Sequence, residues 1–388
     1  MQIADVPQAQ VHAFDGLFRW LGSFSTAARI NRSYKHTEPQ RANTADVQVA
    51  LDDPLLRELL HDDDGGYVIG IFSEAYPVPW VGILVDIDAN LETEVVTLRA
   101  VGWTAVLAAR FFGATDSFSG PPASVFQAML DRLNQINPVG LTTGIVAAEN
   151  LSYEIQVADK SAASAFTEFA SQTGNEWWID IPEASESGIT LTLNLGRSRG
   201  QDRSGSTVLY PGGGASLTGW RRNERARLYT ATITGGQSAL TQAYASRTRA
   251  VAATRQKSSR ATASTSVDIQ ELGGLRERHG YLFYPETGGR SPVTRRESLR
   301  VFEGLRGVGA VTQAAAAALA ARGVGGRAVR VQVDWRGAGG WDSLQVGDVV
   351  RLTDPDAFGD GIDAPFAIQA AQPFEAGGFL DLVGLIGD

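Results

Sequence analysis

The segment Val78–Arg110 constrains the fold of this chain most, because its hydrophobic residues alternate with a period of two. Val81–Ile87 and Glu94–Val101 place β-branched residues at alternate positions, which is typical of strands in a half-buried antiparallel sheet. Asp88-Ala89-Asn90 supplies turn-forming residues between them. A short helix over Ala105–Arg110 follows and could close one end of the sheet. The segment therefore predicts the centre of a β-barrel.

The rest of the first 116 residues extends the same β pattern. The predicted elements are strands at Ala28–Ser33, Thr44–Leu51 and Tyr67–Phe72, a polar loop at Tyr34–Asn43 and a short helix at Leu55–Leu60. The apolar segment Phe14–Phe24 fits either a helical face or an edge strand, and the residues leave both alternatives open.

The pattern changes from strands to helices after residue 116. Ala123–Ile136 carries apolar residues at i, i+3 and i+4 spacing, which predicts an amphipathic helix. A second helix is predicted at Ser161–Thr173, with Asp159 as its N-cap and Gly174 at its C′ position. Strands at Glu176–Ile181 and Thr190–Leu195 follow. This order predicts an α+β module inserted into a β architecture.

Strands return from about residue 206, so the two β regions look like two versions of one plan. The predicted strands are Thr207–Tyr210, Leu217–Arg222, Arg227–Thr234, Arg327–Trp335, Asp348–Thr353, Pro365–Ala371 and Phe379–Gly384. An alanine-rich helix is predicted at Val311–Ala321. For Gly235–Ser298 we expect extended loops, with a hairpin tip near Gly280–Gly289. The predicted domains are 1–116, 117–205 and 206–388.

Composition excludes several classes of function. A chain of 388 residues suggests two to three domains, and a net charge of −9 argues against nucleic acid as the main partner. No apolar run is long enough to cross a bilayer, and cysteine is absent. Between Gly219 and Arg306, sixteen basic residues face seven acidic ones. This is either a surface with scattered arginines or a basic face that meets an acidic neighbour.

Residues that could bind metals or act as nucleophiles do not form recognisable motifs. The histidines are far apart in sequence: His12, His36, His61 and His279. Asp62-Asp63-Asp64 fits a solvated turn better than a cation site. Asp354–Asp363 lacks the EF-hand spacing and its terminal glutamate, so an acidic surface hairpin is favoured over a calcium loop.

Two further segments resemble ligand sites only in part. Glu176 and Asp180 beside Trp177 and Trp178 suggest an aromatic platform with a carboxylate, so the alternative function is a β-rich carbohydrate-binding or carbohydrate-active protein. Pro211–Gly214 lacks the Lys-Ser/Thr of a phosphate-binding loop. No catalytic, cofactor-binding or metal-ligating residue is therefore predicted, and enzyme activity is disfavoured.

The order of four stretches resembles the tail hub, or baseplate hub, proteins of long-tailed bacteriophages and contractile injection systems. The stretches are Leu51–Leu56, Val81-Gly82-Ile83-Leu84 continuing to Gly102-Trp103 and Leu107–Arg110, Thr173–Asp180, and Leu344–Val350. None is a strict motif, but together they extend over most of the chain.

This resemblance implies a mainly β fold in which two tail-tube-like antiparallel β-barrels flank a small α+β domain. It further implies a homotrimer whose six barrels form a pseudo-sixfold ring, adapting the sixfold tail tube to a threefold spike or fibre. Strands just after the insert would then complete the first barrel. Such rings also bury exposed sheet edges between subunits.

The implied setting is the phage tail tip of the virion, after assembly in the host cytoplasm. The implied partners are further copies of the chain, a tail tube or distal tail protein, and a spike, fibre or other tail-tip protein, with the tape measure protein as a further candidate. No membrane partner and no cofactor is expected, and DNA would be met only in transit through the lumen. The role is structural, without catalysis.

Overall fold

The structure is a computed structural model. It describes residues 9–25, 27, 29–35, 43–61, 66–73, 78–136, 138–147, 152–157, 159–185, 188–197, 199–222, 230–235, 239–246, 250–256, 276–278, 281–283, 297–302, 327–334, 344–357, 361–374 and 379–386. Most of the elements in these ranges are strands, so the predicted fold class, mainly β with an α+β insert, is confirmed. The predicted helix Val311–Ala321 lies outside the described residues.

The first region forms one antiparallel seven-stranded sheet with the order β2-β1-β6-β7-β8-β5-β3. Its elements are β1 (Gln10–Phe14), β2 (Trp20–Ser23), β3 (Arg29–Arg32), β4 (Tyr34–Lys35), β5 (Thr44–Ala50), α1 (Pro54–His61), β6 (Val68–Phe72), β7 (Trp80–Asn90), β8 (Val95–Gly102) and α2 (Thr104–Ala108). We call this sheet with α1 and α2 the first β unit. Alternation places Val47 and Val49 inward, in the same hydrophobic core as Leu56 of α1.

The central hairpin β7–β8 is longer than predicted. Asp88-Ala89-Asn90 lies within β7, and the turn follows at Leu91–Glu94. The Asn90 side chain accepts hydrogen bonds from the backbone N–H groups of Glu92 and Thr93 at 3.0 and 3.2 Å. The predicted turn was therefore placed too early, because Asn90 supplies the turn from its first position rather than from its centre.

The apolar segment Phe14–Phe24 forms a turn and an edge strand rather than a helix. It runs from the end of β1 into β2, and the carboxylate of Asp15 accepts the backbone N–H groups of Leu17 and Arg19 across the turn, each at 2.9 Å. The edge-strand alternative was therefore the correct one.

The insert packs two helices on a three-stranded sheet. Its elements are β9 (Ser117–Gly120), α3 (Pro122–Ile136), β10 (Leu141–Val146), β11 (Tyr153–Gln156), α4 (Ala162–Thr173), β12 (Glu176–Ser185) and β13 (Gly188–Gly196). The sheet order is β10-β13-β12, and β9 pairs with β11. Phe126 of α3 and Phe166 of α4 meet edge to face, with ring centroids 5.2 Å apart. The short strands β9, β10 and β11 were not predicted.

Helix α2 lies between the first seven-stranded sheet and the insert. Val106 and Leu107 share one hydrophobic core with Val81 of β7 and with the insert. The indole N–H of Trp103 donates to the backbone carbonyl of Val139 at 2.7 Å. The end of the first sheet and the insert are thereby held together through a buried contact.

Helix α4 is capped by Ser161, not by the predicted Asp159. The Ser161 hydroxyl accepts the backbone N–H of Ser164, and Gly174 ends the helix in the left-handed region with φ 71°, as predicted. Asp159 lies two residues earlier with φ 57°. Both residue types are good caps, so sequence spacing alone selected the wrong one.

We expect Ser161→Ala to lower the free energy of unfolding by about 1 kcal/mol, because the N–H of Ser164 loses its acceptor. Asp159→Asn is the control. It removes the charge but tolerates a positive φ, so we expect a change within about 0.5 kcal/mol. Urea unfolding followed by tryptophan fluorescence measures both, and an equal loss in the two variants would contradict the assignment of the cap.

The last region forms a second seven-stranded sheet. The order β14-β23-β24-β25-β22-β15 accounts for six strands, and β4 pairs with β24 as the seventh. The strands contributed by this region are β14 (Val208–Leu209), β15 (Ala215–Arg222), β22 (Arg327–Asp334), β23 (Val349–Asp354), β24 (Ile362–Phe374) and β25 (Phe379–Ile386). We call the strands from this region the second β unit.

In the interval between β15 and β22, the predicted strand Arg227–Thr234 is present as Thr230–Gly235, and Gly235–Ser298 contains strands where extended loops were predicted. A four-stranded sheet with the order β18-β17-β16-β21 and a hairpin β19–β20 lie there. Their ranges are β16 (Thr230–Gly235), β17 (Ala239–Ser246), β18 (Ala250–Gln256), β19 (Arg276–Arg278), β20 (Tyr281–Phe283) and β21 (Glu297–Phe302). The alanine, threonine and serine content of these strands hid the alternation of large apolar residues on which the prediction relied.

The two β units share one hydrophobic core. Val47 and Leu98 of the first unit belong to the same cluster as Val331 and Leu382 of the second. The strands just after the insert, β14 and β15, pair with β23 and β22 and do not return to the first sheet. That expectation was wrong, and the exchange runs the other way, because β4 leaves the first region to pair with β24.

Candidate assembly interface

The two β units repeat the same strand plan. In the first, the order β6-β7-β8-β5-β3 is formed by strands that occur in the chain as β3, β5, β6, β7 and β8. In the second, the order β23-β24-β25-β22-β15 is formed by strands that occur as β15, β22, β23, β24 and β25. All of these pairings are antiparallel. The units therefore have one topology, not merely a similar strand content.

The pairing register is repeated residue by residue. Adding 284 to the residue number carries the pair Ala50–Val95 onto Asp334–Phe379 and the pair Asn90–Val95 onto Phe374–Phe379. The bulge between Leu84 and Asp86 falls on the bulge between Ile368 and Ala370. The pairs between β6 and β7 repeat as well. Adding 281 to the β6 residue and 284 to the β7 residue carries all four of these pairs onto pairs between β23 and β24. The register is therefore common to the pairs β5–β8, β7–β8 and β6–β7 and their counterparts, whereas the outermost pair β15–β22 has a bulge between Leu217 and Gly219 that β3–β5 lacks.

Inward positions match in burial but not always in side chain. Val47, Val49, Val96 and Leu98 correspond to Val331, Val333, Leu380 and Leu382, and all eight are buried. The bulky aromatic residue, however, occupies different positions in the two units. Trp80, Gly82 and Ala100 of the first unit correspond to Ala364, Phe366 and Gly384 of the second.

A Cβ at Gly82 would lie 2.3 Å from the Trp80 ring, and one at Gly384 would lie 2.7 Å from the Phe366 ring. Each ring therefore occupies the space that a glycine leaves. The two units fill the same volume with different residues.

The corresponding outer edges of β7 and β24 differ. Leu84 donates its N–H to the Tyr67 carbonyl at 2.9 Å, and its counterpart Ile368 donates to the Asp348 carbonyl at 2.9 Å. Beyond this point β24 is covered, because Ala370 pairs with Lys35 and Ala371 with Tyr34. Among the described residues, the matching part of β7 has no strand on this side. An open strand edge is a surface for pairing with another chain.

The exposed end of the first hairpin carries acidic and apolar side chains. Val85 is 57% exposed and Leu91 75% exposed. Asp86 and Asp88 both lie near Arg99, at 3.0 and 3.6 Å, with all three side chains at least half exposed. Such solvated pairs add little stability, so these carboxylates remain available to a partner.

Asp348 joins the segment that follows the insert, Arg199–Arg203, to the second β unit. We call this segment the insert linker. Its buried carboxylate accepts the backbone N–H groups of Gln201 at 2.9 Å and Gln345 at 3.0 Å, and Arg203 lies 3.6 Å away. Position 347 needs glycine for two reasons: its φ is 101°, and a Cβ there would lie 2.7 Å from the backbone nitrogen of Gly200. The late Leu344–Val350 stretch thereby contacts the chain that follows the insert, at Gln201 and Arg203.

Neither Trp177 nor Trp178 forms an open aromatic platform. They lie on opposite faces of β12 and are 4% and 5% exposed. Trp177 donates its indole N–H to the Thr167 hydroxyl at 3.0 Å, and Trp178 donates to Asp180 at 2.8 Å. Because both rings and both N–H groups are already engaged, this segment gives no support to a carbohydrate subsite.

The scattered histidines and acids do not converge among the described residues. No group of three or more His, Asp or Glu side chains there could hold a metal ion. His12 is buried, with the Trp20 indole N–H 3.0 Å from its Nδ1. His61 ends α1, whereas His36, His279 and Asp62-Asp63-Asp64 lie outside the described residues.

The Asp354–Asp363 run is a hairpin connection whose last carboxylate is paired. Arg351 donates to both oxygens of Asp363 at 2.6 and 2.5 Å, and Thr353 donates at 3.2 Å. The hydrogen bond from Arg351 holds the pKa of Asp363 below its usual range. Asp354 accepts the backbone N–H of Asp356. These contacts support the reading as a surface hairpin.

The Pro211–Gly214 segment forms a tight turn rather than a phosphate-binding loop. Pro211–Gly213 is one 3-10 turn, in which Gly213 donates its N–H to the carbonyl of Tyr210 at 2.9 Å and Gly214 donates to Pro211. Backbone N–H groups that a phosphate would need are thus used within the turn.

Comparison with known proteins identifies the fold. No protein-family model and no curated protein matches the chain. The solved structure of a tail protein from Neisseria meningitidis matches with a TM-score of 0.57 at 14% identity, over 98% of this chain and 97% of that one. This chain has a phage tail protein fold. The resemblance drawn from the sequence is therefore confirmed at the level of the fold.

Two further solved structures share the tail protein fold. The 43 kDa tail protein of prophage MuSo2 from Shewanella oneidensis has a TM-score of 0.56 at 13% identity, over 98% of this chain and all of that one. Prophage tail protein gp18 from Listeria monocytogenes has a TM-score of 0.56 at 9% identity, over 97% and 94%. In the described part of the chain, no helix is long and apolar enough to span a membrane.

Proposed function

We propose that the chain is a structural subunit of the tip of a phage tail, and that three copies close into a ring of six β units. The observation that carries this proposal is the repeated ladder of the two units. Identical copies alone give a threefold ring, but two equivalent units in each copy offer six similar positions. The ring can then meet a sixfold tube on one side and a threefold spike or fibre on the other.

The proposed division of labour follows the three predicted domains, 1–116, 117–205 and 206–388. The two β units form the ring, and the insert projects from it as a separate docking surface. The proposed neighbours are a tail tube or distal tail protein, a spike, fibre or other tip protein, and the tape measure protein. The role is structural and needs no catalysis, which is consistent with buried Trp177 and Trp178 and with the paired Asp363.

Size-exclusion chromatography with light scattering tests the oligomeric state of the purified chain. We expect the mass of three chains, and negative-stain images with six similar lobes around a central opening. A monomer at micromolar concentration, both alone and mixed with tail tube protein, would contradict the proposal. A trimer with three lobes would contradict the equivalence of the two β units.

A further inference from the structure

We propose that the turn Asp15–Arg19, which we call the clasp turn, is a releasable joint between the first seven-stranded sheet and the insert. The Phe18 side chain on this turn fixes the angle of the insert, and the insert pivots about α2 when that side chain leaves its contact. The inference concerns one copy of the chain and is independent of the circular assembly proposed above.

Phe18 has a backbone conformation that does not suit its side chain. Its φ is 62°, in the left-handed region. Phe18 donates its N–H to the carbonyl of Asp15 at 3.0 Å, and Asp15 donates its N–H to the carbonyl of Arg19 at 2.9 Å. Residues 16–18 thus form a three-residue hairpin connection, whose last residue takes the left-handed conformation and is usually glycine. A phenylalanine at this position is strained.

Hydrogen bonds hold the clasp turn in this strained form. The Asp15 carboxylate accepts the backbone N–H groups of Leu17 and Arg19, each at 2.9 Å, and the Nε–H of the Arg19 guanidinium at 2.6 Å. Backbone strain persists only where surrounding contacts impose it, and it is concentrated at functional sites. Glycine would satisfy the turn, so the reason for Phe18 lies in what its ring contacts.

The Phe18 side chain contacts a loop of the insert together with Trp103. The centroids of these two rings are 5.1 Å apart. A Cβ at Gly140 would lie 2.7 Å from the Phe18 ring and 3.6 Å from the Trp103 ring, and the Trp103 indole N–H donates to the carbonyl of Val139 at 2.7 Å. Both aromatic side chains therefore hold the same short loop, Val139–Gly140.

This loop is fixed within the insert. The side chain of Asn134 in α3 accepts the N–H of Val139 at 3.1 Å and donates to the carbonyl of Leu141 in β10 at 3.3 Å. The clasp turn also approaches a second point of the insert, since a Cβ at Gly188 would lie 3.9 Å from the Phe18 carbonyl oxygen. Because the loop is tied to α3 and β10, its position relative to Phe18 sets the angle of the whole insert.

Strain makes this contact releasable. When the Phe18 ring leaves the loop, the contact is lost, but the φ of Phe18 can return to an ordinary value, which recovers part of the free energy. Phe18 is only half-buried and Leu17 beside it is 75% exposed, so the turn is open to solvent. Val106 and Leu107 of α2, in contrast, are buried in the core shared with the insert. The weak contact therefore opens before the strong one, and α2 is the pivot.

Spin labels measure the angle of the insert directly, because the chain contains no cysteine. Glu92→Cys at the tip of the β7–β8 hairpin and Gln135→Cys on α3 introduce two exposed labelling positions. An excess of unlabelled chain restricts the measurement to distances within one copy. In this background, Phe18→Gly, Phe18→Asn and Phe18→Ala each remove the ring. We expect each to widen the distribution of distances between the labels at least about twofold, because several orientations of the insert are then populated.

Leu17→Ala is the matched control, because it truncates an exposed apolar side chain of the same turn. We expect it to leave the distance distribution unchanged, as should Phe18→Tyr, which keeps the ring. If none of the three ring-deleting variants widens the distribution, or if Leu17→Ala widens it equally, the inference is wrong. Because the measurement is made within one copy, that failure would leave the circular assembly intact, and a monomeric chain would leave the clasp turn intact.

Urea unfolding of the same variants tests the strain separately. Glycine and asparagine suit the left-handed region, whereas alanine does not. We expect the equilibrium constant for unfolding to be about fivefold smaller for Phe18→Gly than for Phe18→Ala, although both lack the same ring contact. Equal constants would show that the turn is not strained at Phe18, and release driven by strain would then be ruled out.

Discussion

Transplanting the core of the second hairpin into the first, by Trp80→Ala, Gly82→Phe and Ala100→Gly together, should leave the protein folded and within about 2 kcal/mol of the parent. The reason is that Ala364, Phe366 and Gly384 already fill the same positions of the same ladder. The net change in residue content is from one Trp to one Phe, so most of the side-chain volume is kept, and cores tolerate such exchanges far better than the separate changes.

The single variants give the contrast. Trp80 is 1% exposed, so Trp80→Ala alone should cost about 3–5 kcal/mol through the cavity it leaves. Gly82→Phe alone should be at least as damaging, because a Cβ there already meets the Trp80 ring at 2.3 Å and the Val101 carbonyl at 2.5 Å. The position that matches Gly82 in the second unit is Phe366, whose side chain is fully buried, so the ladder can accept a ring at this position when its neighbours are small.

Urea unfolding of all variants at one protein concentration checks this prediction, since assembly contributes to apparent stability. A triple variant whose loss equals the sum of the single losses would show that the two units are not interchangeable in packing. That result would also weaken the proposed equivalence of six positions in a ring. Trp80 Nε1 is buried without an acceptor among the described residues, so the exchange removes one unsatisfied group as well.

Asp348→Ala should cost about 2–3 kcal/mol, because it removes the buried carboxylate that accepts the backbone N–H groups of Gln201 and Gln345. Asp348 is 2% exposed, and the Arg203 side chain is about one quarter exposed, so solvent can replace only part of these contacts. The loss should appear first as exposure of the joint between the insert and the second β unit.

Hydrogen exchange at Gln201 and Gln345 measures that opening, alongside thermal unfolding. Asp348→Asn is the informative intermediate, since it keeps an oxygen acceptor and loses the charge, and we expect about half the effect. Asp356→Asn changes an exposed aspartate of the same unit and should stay within about 0.5 kcal/mol. If Asp348→Ala proves as mild as Asp356→Asn, Asp348 does not hold the joint.

Much of the fold could be predicted from the sequence where period and chemistry agree. The strand Thr44–Leu51 and the helices Ala123–Ile136 and Ser161–Thr173 were placed within a few residues, because each buries one face and exposes the other. Val81–Ile87 was also placed correctly as a strand, but only its first residues are buried and Val85 is exposed. Gly174 was recognised as a helix terminator for a similar local reason. Strands of small residues between Gly235 and Ser298 gave no such signal, although they pair in the structure.

Only the general outline of the candidate interface could be predicted from the sequence. The sequence suggested that the two β regions share a plan, and the side chains that would have carried a binding site turned out to be engaged, as Trp178 is with Asp180. The repeated pairing register of the two units could not be predicted from the residues, because Trp80–Gly82 and Ala364–Phe366 fill the same space with different side chains. Several neighbouring side chains together fill the core, so the residue type at any single core position can differ between the two units.

The sequence by itself determined the local elements and the β-α+β-β order, since alternation, caps and turn residues act between neighbours in the chain. Only the tertiary structure decided that one ladder is used twice, that β4 crosses from the first region to pair with β24, and that Asp348 fastens the insert linker. These contacts join residues far apart in the chain, and their free energy depends on which edges and backbone groups are left open after the local elements have formed.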